Sequence, residues 1–173
     1  MDANELYNGD FLELDGNYIH NTAIVYPNVS LGRGNYIGPY CVIGGNGEIR
    51  GVDQRNFRGK VVIGDNNVIS EHVTIQAPYE PEVTRIGNNN ILMAHVHIGH
   101  DARIGSDTEI CTSTVIGGYA EVKDGAKVKL SCVVRNRCCI GRKAIVGMGS
   151  VVTKDIPDES IVFGNPAKPR SED

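Results

Sequence analysis

The sequence predicts an all-β fold, a parallel β-helix built from hexapeptide repeats and containing about seven coils. Three observations lead to this prediction. An aliphatic residue recurs at every sixth position, and the residue four places after it is usually small. The chain also has 21 glycines and only 6% aromatic residues, which suits a narrow, repetitive core. The main aliphatic series is Ile86, Leu92, Ile98, Ile104, Ile110, Ile116, Val122, Val128, Val134, Ile140, Val146 and Val152.

A repeat of six residues fits neither a helix with about 3.6 residues per turn nor a long alternating strand. It fits a short strand followed by a sharp corner, and three such units close a triangular coil of about 18 residues. The coils then stack about 4.8 Å apart through parallel strand pairing. The aliphatic and the small residues both point into the coil. Cys41, Cys132 and Cys138, which occupy small positions, are therefore predicted to be core fillers.

Interruptions of the repeat define the predicted organisation of the chain. Residues 1–17 precede the repeat and are predicted to cap the first coil. The β-helix domain is predicted over residues 18–156, with insertions at 50–60 and 77–85 that leave the core as surface loops. Residues 157–173 contain proline and glycine signals and are predicted to form a short C-terminal tail.

Charge and composition disfavour several classes of protein. The formal net charge is −4, so the basic excess of a nucleic-acid-binding protein is missing. No apolar run approaches the roughly 20 residues that span a bilayer, and the acidic N-terminal sequence is unlike a signal peptide. We therefore expect a soluble, cytoplasmic protein. The five cysteines include no CxxC pair, which favours free thiols over disulfides or a cysteine metal site.

Several segments resemble known enzyme families. Residues 88–101 read Asn-Asn-Asn-Ile-Leu-Met-Ala-His-Val-His-Ile-Gly-His-Asp and resemble the active-site segment of the UDP-N-acetylglucosamine O-acyltransferases of lipid A synthesis. Residues 70–75, Ser-Glu-His-Val-Thr-Ile, are similar to an upstream segment of that family. The sequences at 151–157 and 164–168 resemble the closing motif of hexapeptide sugar acetyltransferases. The resemblance implies a left-handed β-helix and a homotrimer with its active site in the groove between two subunits.

The same resemblance implies three catalytic residues. The general base of the family is the second His of its His-Ile-Ala-His-Asp motif, which is His100 here, and Asp101 would hold its tautomer. The family stabilises the oxyanion with a backbone amide one coil further on, which corresponds to Gly118. Because a coil contains about 18 residues, Gly118 is also expected to stack on His100 from the spacing alone.

Further residues are predicted to contact the substrates. The candidate sugar contacts are Gln54, His72, His95 and Tyr119. The candidate CoA contacts, on the later coils and the tail, are Gly147, Ser150, Lys168 and Arg170. His72 and His95 occupy the same repeat position in successive coils, so we expect their side chains to lie close together.

Departures from the lipid A family favour a different acyl donor. Tyr119 and Gln76 stand where that family has histidines, and Arg55 stands where it has a substrate-binding Asp. The family also continues into helices that help to engage the acyl carrier protein, whereas this sequence stops after the tail. We therefore expect acetyl-CoA as co-substrate and no metal. The expected reaction transfers acetyl to a hydroxyl or amino group of a nucleotide-linked sugar.

Three alternatives remain open at this point. The first is a longer-chain UDP-sugar acyltransferase that depends on acyl carrier protein. The second is a zinc protein like the γ-class carbonic anhydrases, with His72, His95 and His100 as ligands, although their repeat positions differ from those of that class. The third is a non-catalytic β-helix scaffold, in which a His-Asp pair and an acetyltransferase-like tail would have no use.

Overall fold

The computed structural model of the protein describes residues 10–48, 50–51, 53, 59–78 and 83–169. Within these ranges the chain forms β-strands and no helix, and hence no helix that could cross a membrane. The all-β prediction is confirmed. The strands are β1 (Phe11–Leu14), β2 (Asn17–His20), β3 (Ile24–Val25), β4 (Val29–Leu31), β5 (Tyr36–Ile37), β6 (Val42–Asn46), β7 (Lys60–Ile63), β8 (Val68–Ile69), β9 (Thr74–Ala77), β10 (Val83–Ile86), β11 (Ile91–Leu92), β12 (His97–Ile98), β13 (Arg103–Ile104), β14 (Glu109–Ile110), β15 (Val115–Ile116), β16 (Glu121–Val122), β17 (Lys127–Val128), β18 (Val133–Val134), β19 (Cys139–Ile140), β20 (Ile145–Val146), β21 (Val151–Val152), β22 (Ile161–Phe163) and β23 (Lys168–Pro169).

Three sheets run along the molecule, and in every coil the successive strands join them in the same order, A, B and C. Sheet A stacks β1-β2-β5-β8-β11-β14-β17-β20-β22-β23, sheet B stacks β3-β6-β9-β12-β15-β18-β21, and sheet C stacks β4-β7-β10-β13-β16-β19. Six coils contribute a strand to each sheet, and the seventh is completed by a bridge between Ile140 and Ile156. The architecture is the predicted left-handed parallel β-helix. Its edges are called the A–B, B–C and C–A corners after the sheets that they join.

The aliphatic series fills the core of this prism. Each of its members is at most 3% exposed, and strand pairing places like positions over one another, as with Leu92 opposite Ile110 and Ile110 opposite Val128. Small residues such as Ala102 and Ala120 are fully buried where the corners narrow the coil. Each coil therefore buries its apolar edge against its two neighbours, which is how a solenoid gains its stability.

The cysteines are part of this packing. The predicted core fillers Cys41, Cys132 and Cys138 are buried, and all five thiols of the chain are free. Cys111 is buried as well, at 4% exposure, although its place directly after Ile110 did not mark it as an inward position. Burial raises the pKa of Cys41 and of Cys111 to about 11. Both thiols therefore stay protonated and weakly nucleophilic at neutral pH.

The ends and loops differ in detail from the predicted boundaries. At the N-terminal end β1 pairs antiparallel with β2 and closes sheet A. The predicted loop at 77–85 is shorter, because Val83 pairs with Lys60 and starts β10. Beyond residue 156, β22 pairs in parallel with β20, so part of the predicted tail continues sheet A before β23 folds back on it.

A column of buried asparagines lies at the C–A corner of the first four coils. Its members are Asn17, Asn35, Asn67 and Asn90. The Oδ1 atom of Asn67 accepts the Asn90 N–H at 2.9 Å, while its amide donates to Asn35 Oδ1 and to the Gly87 carbonyl, both at 3.0 Å. The column thus pairs the polar groups that the corner removes from water, as burial requires.

We expect Asn67→Ala to lower the free energy of unfolding by about 2–4 kcal/mol, because it leaves the Asn90 N–H and the Gly87 carbonyl unpaired in a buried corner. Urea unfolding followed by circular dichroism measures this change. The control is Asn21→Ala, which alters an exposed asparagine outside the column whose backbone is not left-handed. Equal effects of the two substitutions would show that the column contributes no specific stability.

Candidate active site

His100 and Asp101 form a hydrogen-bonded pair at the B–C corner, immediately after β12. His100 Nδ1 donates to Asp101 Oδ2 over 2.6 Å, and the two side chains are 12% and 3% exposed. Because a carboxylate only accepts hydrogen bonds, this contact selects the tautomer with its hydrogen on Nδ1. The lone pair of Nε2 is then available, which is the arrangement that a general base needs.

The preceding coil fixes the turn that carries this pair. Asp101 has a φ of 61°, a left-handed conformation that is unfavourable for most residues with a side chain. Its N–H donates to Thr84 Oγ1 at 2.9 Å, and the His100 N–H donates to Gln76 Oε1 at 3.3 Å. Thr84 is fully buried. The turn is therefore held by one buried side chain, Thr84, and by one outward side chain, Gln76, of the preceding coil.

Two glycines allow the imidazole to fit. A Cβ atom on Gly118 would lie 2.7 Å from His100 Nε2, and one on Gly47 would lie 2.7 Å from His100 Cβ. The Gly118 carbonyl accepts the Arg137 N–H, whereas the Gly118 N–H donates no hydrogen bond to the residues that the structure describes. The structure thus brings His100, Asp101 and Gly118 together, with an unused amide donor beside the imidazole.

Tyr119 also lies against His100. Its N–H donates to the His100 carbonyl at 2.9 Å, and the two rings meet edge to face at 5.2 Å. The guanidinium carbon of Arg137 lies 4.0 Å above the centre of the Tyr119 ring. Tyr119 is 39% exposed, so it shields one side of the imidazole and still presents surface to a ligand.

His97 is a residue of this region that the sequence analysis did not single out. Its Nδ1 lies 2.8 Å from Thr74 Oγ1, and it lines a pocket of about 220 Å³ together with Glu48 and Gln76. Gln76 joins this pocket to the His100 turn. Burial lowers the pKa of His97, the positive charge of a protonated His100 would lower it further, and Glu48 opposes both effects. The signal that could have found His97 is its place as the first His of the motif that ends in His100 and Asp101.

The lowered pKa of His97 predicts a pH dependence of stability. Below about pH 6.5 the unfolded chain takes up a proton at His97, while in the folded chain His97 stays neutral until the pH reaches its lowered pKa. The free energy of unfolding should therefore fall as the pH drops from 6.5 towards the lowered pKa. His97→Gln should make this fall less steep in urea titrations at a series of pH values. Identical slopes in the variant and the wild type would contradict this account.

The other predicted sugar contacts lie elsewhere. His72 and His95 are at the A–B corner, one edge away from His100, and their rings stack at 4.7 Å with an angle of 2° between the planes. The expectation that these two side chains lie close together is confirmed. Gln54 lies outside the described residues.

The predicted CoA contacts divide into buried and exposed residues. Ser150 is fully buried and its Oγ donates to the Gly147 carbonyl, so this hydroxyl offers nothing to a ligand. Gly147 is buried under the Phe163 ring, which a Cβ atom there would overlap. For both residues the structure indicates a role in holding the tail on the last coil. Lys168 is exposed in β23, and Arg170 lies outside the described residues.

The histidines do not converge on a metal site within the chain. His72 and His95 face each other at one corner, whereas His100 lies at another and its Nδ1 bonds Asp101. Among the residues that the structure describes, no group of three or more His, Cys, Asp or Glu side chains could hold a metal ion.

Comparison with known protein families gives a match over the part of the chain that contains this site. Residues 84–118, which contain the His100–Asp101 pair and Gly118, match the family of bacterial transferase hexapeptide repeats. Over these residues the chain is similar to that family. This match covers the coils that build the candidate site.

The named relatives of this chain are acyltransferases. An acyl-[acyl-carrier-protein]–UDP-N-acetylglucosamine O-acyltransferase from Saccharophagus degradans is 46% identical over 171 residues, covering 95% of this chain and 64% of the relative. The enzyme of that name from Rickettsia canadensis is 34% identical over 121 residues, covering 49% of this chain and 46% of the relative. The chain thus spans between about half and two thirds of the length of these relatives.

Solved structures show the same likeness. LpxA, a UDP-N-acetylglucosamine acyltransferase from Bacteroides fragilis, superposes with a TM-score of 0.85 and 32% identity, over 90% of this chain and 61% of that one. The UDP-N-acetylglucosamine acyltransferase of Francisella novicida superposes with a TM-score of 0.74 and 28% identity, over 88% and 69% of the two chains. The predicted resemblance to this group of enzymes is confirmed.

Proposed function

We propose that this protein is an acyltransferase that moves an acyl group from a thioester donor to the sugar of a nucleotide sugar. The observation that carries the proposal is the His100–Asp101 pair, whose geometry leaves Nε2 as a proton acceptor beside the Gly118 amide. The names of the relatives support the reaction class and the kind of acceptor.

In the proposed mechanism, His100 Nε2 takes the proton of a sugar hydroxyl or amine as that group attacks the thioester carbonyl. Asp101 stabilises the imidazolium through Nδ1. The Gly118 N–H donates to the oxyanion of the tetrahedral intermediate. When the carbon–sulfur bond breaks, the leaving thiolate takes the proton back from Nε2, so the reaction returns a neutral imidazole and a free thiol.

The pocket beside His97 is the proposed place for part of the acceptor. Its wall carries neutral hydrogen-bonding groups from Thr74, Gln76 and His97 and one carboxylate, Glu48. Such groups suit sugar hydroxyls, which both donate and accept hydrogen bonds. Its lowered pKa keeps His97 uncharged at neutral pH, so its ring can act as donor at one nitrogen and acceptor at the other.

The donor that we favour is an acyl-[acyl-carrier-protein]. The relative that is 46% identical is named for this donor. On sheet B, Val115 stacks directly after His97 and Val133 after Val115, and these valines are 39% and 43% exposed. This apolar track beside the base could cover several methylene groups, which an acetyl group does not need. Acetyl-CoA is the second candidate, on the likeness of the tail to the sugar acetyltransferases.

A donor and acceptor panel tests the proposal. Purified protein is incubated with UDP-N-acetylglucosamine and either acetyl-CoA or acyl carrier proteins loaded with chains of increasing length, and the acylated sugar is detected by mass spectrometry. The proposal expects an acylated nucleotide sugar whose yield is higher with a longer chain than with acetyl. Acetylation alone would favour the second candidate, and no acylated sugar with any donor would contradict the proposed function.

We further propose that the protein acts as a homotrimer in the cytoplasm. Large apolar side chains are exposed in a row on the outer face of sheet A, which suits contact with another subunit. These residues are Tyr18, Tyr36, Val68 and Ile91. Light scattering coupled to size exclusion tests the subunit number, and a monomer at micromolar concentration would contradict it.

A further inference from the structure

Three aromatic side chains form a column on the outside of the A–B corner. Tyr40, His72 and His95 occupy the same corner position in three successive coils. The ring centres of Tyr40 and His72 are 5.2 Å apart with an angle of 14° between the planes, and those of His72 and His95 are 4.7 Å apart with an angle of 2°. We call these three residues the ring column.

The ring column lies outside the core, on a left-handed backbone. All three residues have φ values between 58° and 60°, in the left-handed region that is unfavourable for bulky side chains. All three are exposed, and Tyr40 reaches 58% exposure. The imidazoles of His72 and His95 make no hydrogen bond to the described part of the chain. The left-handed backbone also occurs at Ser113 and Ser131 in the same corner position, so it belongs to the fold. The observation that points to a role in binding is the stack of three exposed rings.

The column ends abruptly at His95. The next three residues at this corner position are small, namely Ser113, Ser131 and Gly149. Ser113 keeps the same left-handed backbone, with a φ of 61°, and its N–H donates to the Ala94 carbonyl. One face of the His95 ring is therefore uncovered, and this corner position carries only small residues over the next three coil spacings of roughly 4.8 Å each. The part of this space next to His95, beside the Ser113 hydroxymethyl group, is called the Ser113 recess.

The surroundings of the recess define what it can hold. Two apolar residues of the following coils, Leu130 and Met148, are 45% and 71% exposed at the same corner. Lys129 is the one lysine or arginine at this corner in the coils from His95 to Gly149, and its ammonium group is paired with Glu109 at 2.6 Å. A phosphate would therefore find no unpaired cation here. A flat ring with apolar faces and polar edges would stack on His95 and reach the Ser113 hydroxyl.

We propose that the His95 face of the ring column and the Ser113 recess bind the nucleobase of a nucleotide ligand. The inference rests on the proposed function, because the nucleotide would be the acceptor nucleotide sugar or the CoA donor. His95 precedes His100 by five residues, so at most about 18 Å separates the two sites across sheet B. An extended nucleotide sugar could then cross sheet B beside His97, with its base at the A–B corner and its sugar at His100, which leaves Val115 and Val133 to the acyl chain.

Two variants test the site from opposite directions. His95→Ala removes the ring that a base would stack on. Ser113→Tyr extends the column by one ring, in a backbone conformation that Tyr40 and Tyr119 already adopt, and fills the recess. The matched control is Asn89→Ala, which removes another exposed side chain with a left-handed backbone from the same coil but at the C–A corner.

The first readout needs no turnover. The histidine Cε1–H signals are followed by NMR while uridine monophosphate, or adenosine 3′,5′-bisphosphate in a second arm, is added to the full chain. Ring-current shifts of His95 and His72 are expected, and both variants should weaken binding about 5- to 50-fold, as loss of one base-stacking contact does. Shifts with the uridine nucleotide alone assign the site to the acceptor, and shifts with the adenosine nucleotide alone assign it to CoA.

The second readout is kinetic. Both variants should raise the KM for the nucleotide that binds by a similar factor, with kcat changed less than about threefold, because the base lies away from the reacting atoms. No histidine shift with either nucleotide, or variants that bind as tightly as the Asn89→Ala control, would overturn the nucleobase site. Nucleotide binding at His95 without acyl transfer would instead leave the site standing and overturn the proposed function.

Discussion

The His100→Ala variant is expected to turn over about 10²- to 10⁴-fold more slowly than the wild type, because it removes the group that takes the proton of the attacking nucleophile. The loss should appear in kcat with the acceptor and the donor both saturating. The KM values should change much less. The imidazole acts on the proton that is transferred in the transition state, and it forms only a small part of the surface that binds the substrates. Steady-state assays of thiol release measure both constants.

The control for this variant is His20→Ala. His20 lies in the first coil, where its Nδ1 is 2.8 Å from Thr22 Oγ1, away from the candidate site. This change should leave kcat within about threefold of the wild type, because no proposed proton transfer involves it. Thermal unfolding of both variants shows whether either has lost structure. A folded His100→Ala protein with wild-type turnover would remove His100 from the mechanism.

The Gly118→Ala variant is expected to lose about 10²-fold in kcat, although it keeps the backbone N–H that faces the oxyanion. The added Cβ would lie 2.7 Å from His100 Nε2 and 2.8 Å from Cε1, so the imidazole must move. The base would then no longer be aligned with the attacking group. Single-turnover kinetics report this loss in the chemical step, independently of product release.

A double variant separates this steric explanation from others. If Gly118→Ala acts by displacing the imidazole, it should add little to the effect of His100→Ala, because the displaced group is already gone. If the kcat loss of the double variant is instead the product of the losses of the two single variants, Gly118 acts independently of His100. That outcome would contradict the steric explanation while leaving the amide of Gly118 as an oxyanion donor.

The repeat made the core predictable from the sequence. Ile98 pairs with Ile75 on one side and with Ile116 on the other, so its position in the period alone specifies its burial. The stacking of His72 on His95 followed from the same argument, since both occupy one position in successive coils. The placement of Gly118 over His100 also followed from the repeat. A Cβ atom at this position would come too close to the imidazole, which explains why the residue is glycine.

Other features depend on contacts that no periodic pattern contains. Ser150 and Gly147 were predicted to meet CoA, but the tail folds Phe163 over Gly147 and places the Gly164 N–H on Ser150 Oγ. His97 was missed because an outward strand position carries no periodic signal, and its place as the first His of the motif was the one mark in the sequence. The candidate role of His97 depends on the pocket that it lines together with Glu48, and Glu48 lies just beyond the end of β6, far from His97 in the sequence.

The most direct test of the central claim is acceptor-dependent thiol release from an acyl thioester, measured for wild type and His100→Ala with and without a metal chelator. The account predicts release that requires the nucleotide sugar, falls by at least about 10²-fold in the variant and is unchanged by the chelator. Release that survives in a folded His100→Ala protein, or that the chelator abolishes, would contradict a histidine-based acyl transfer at this corner.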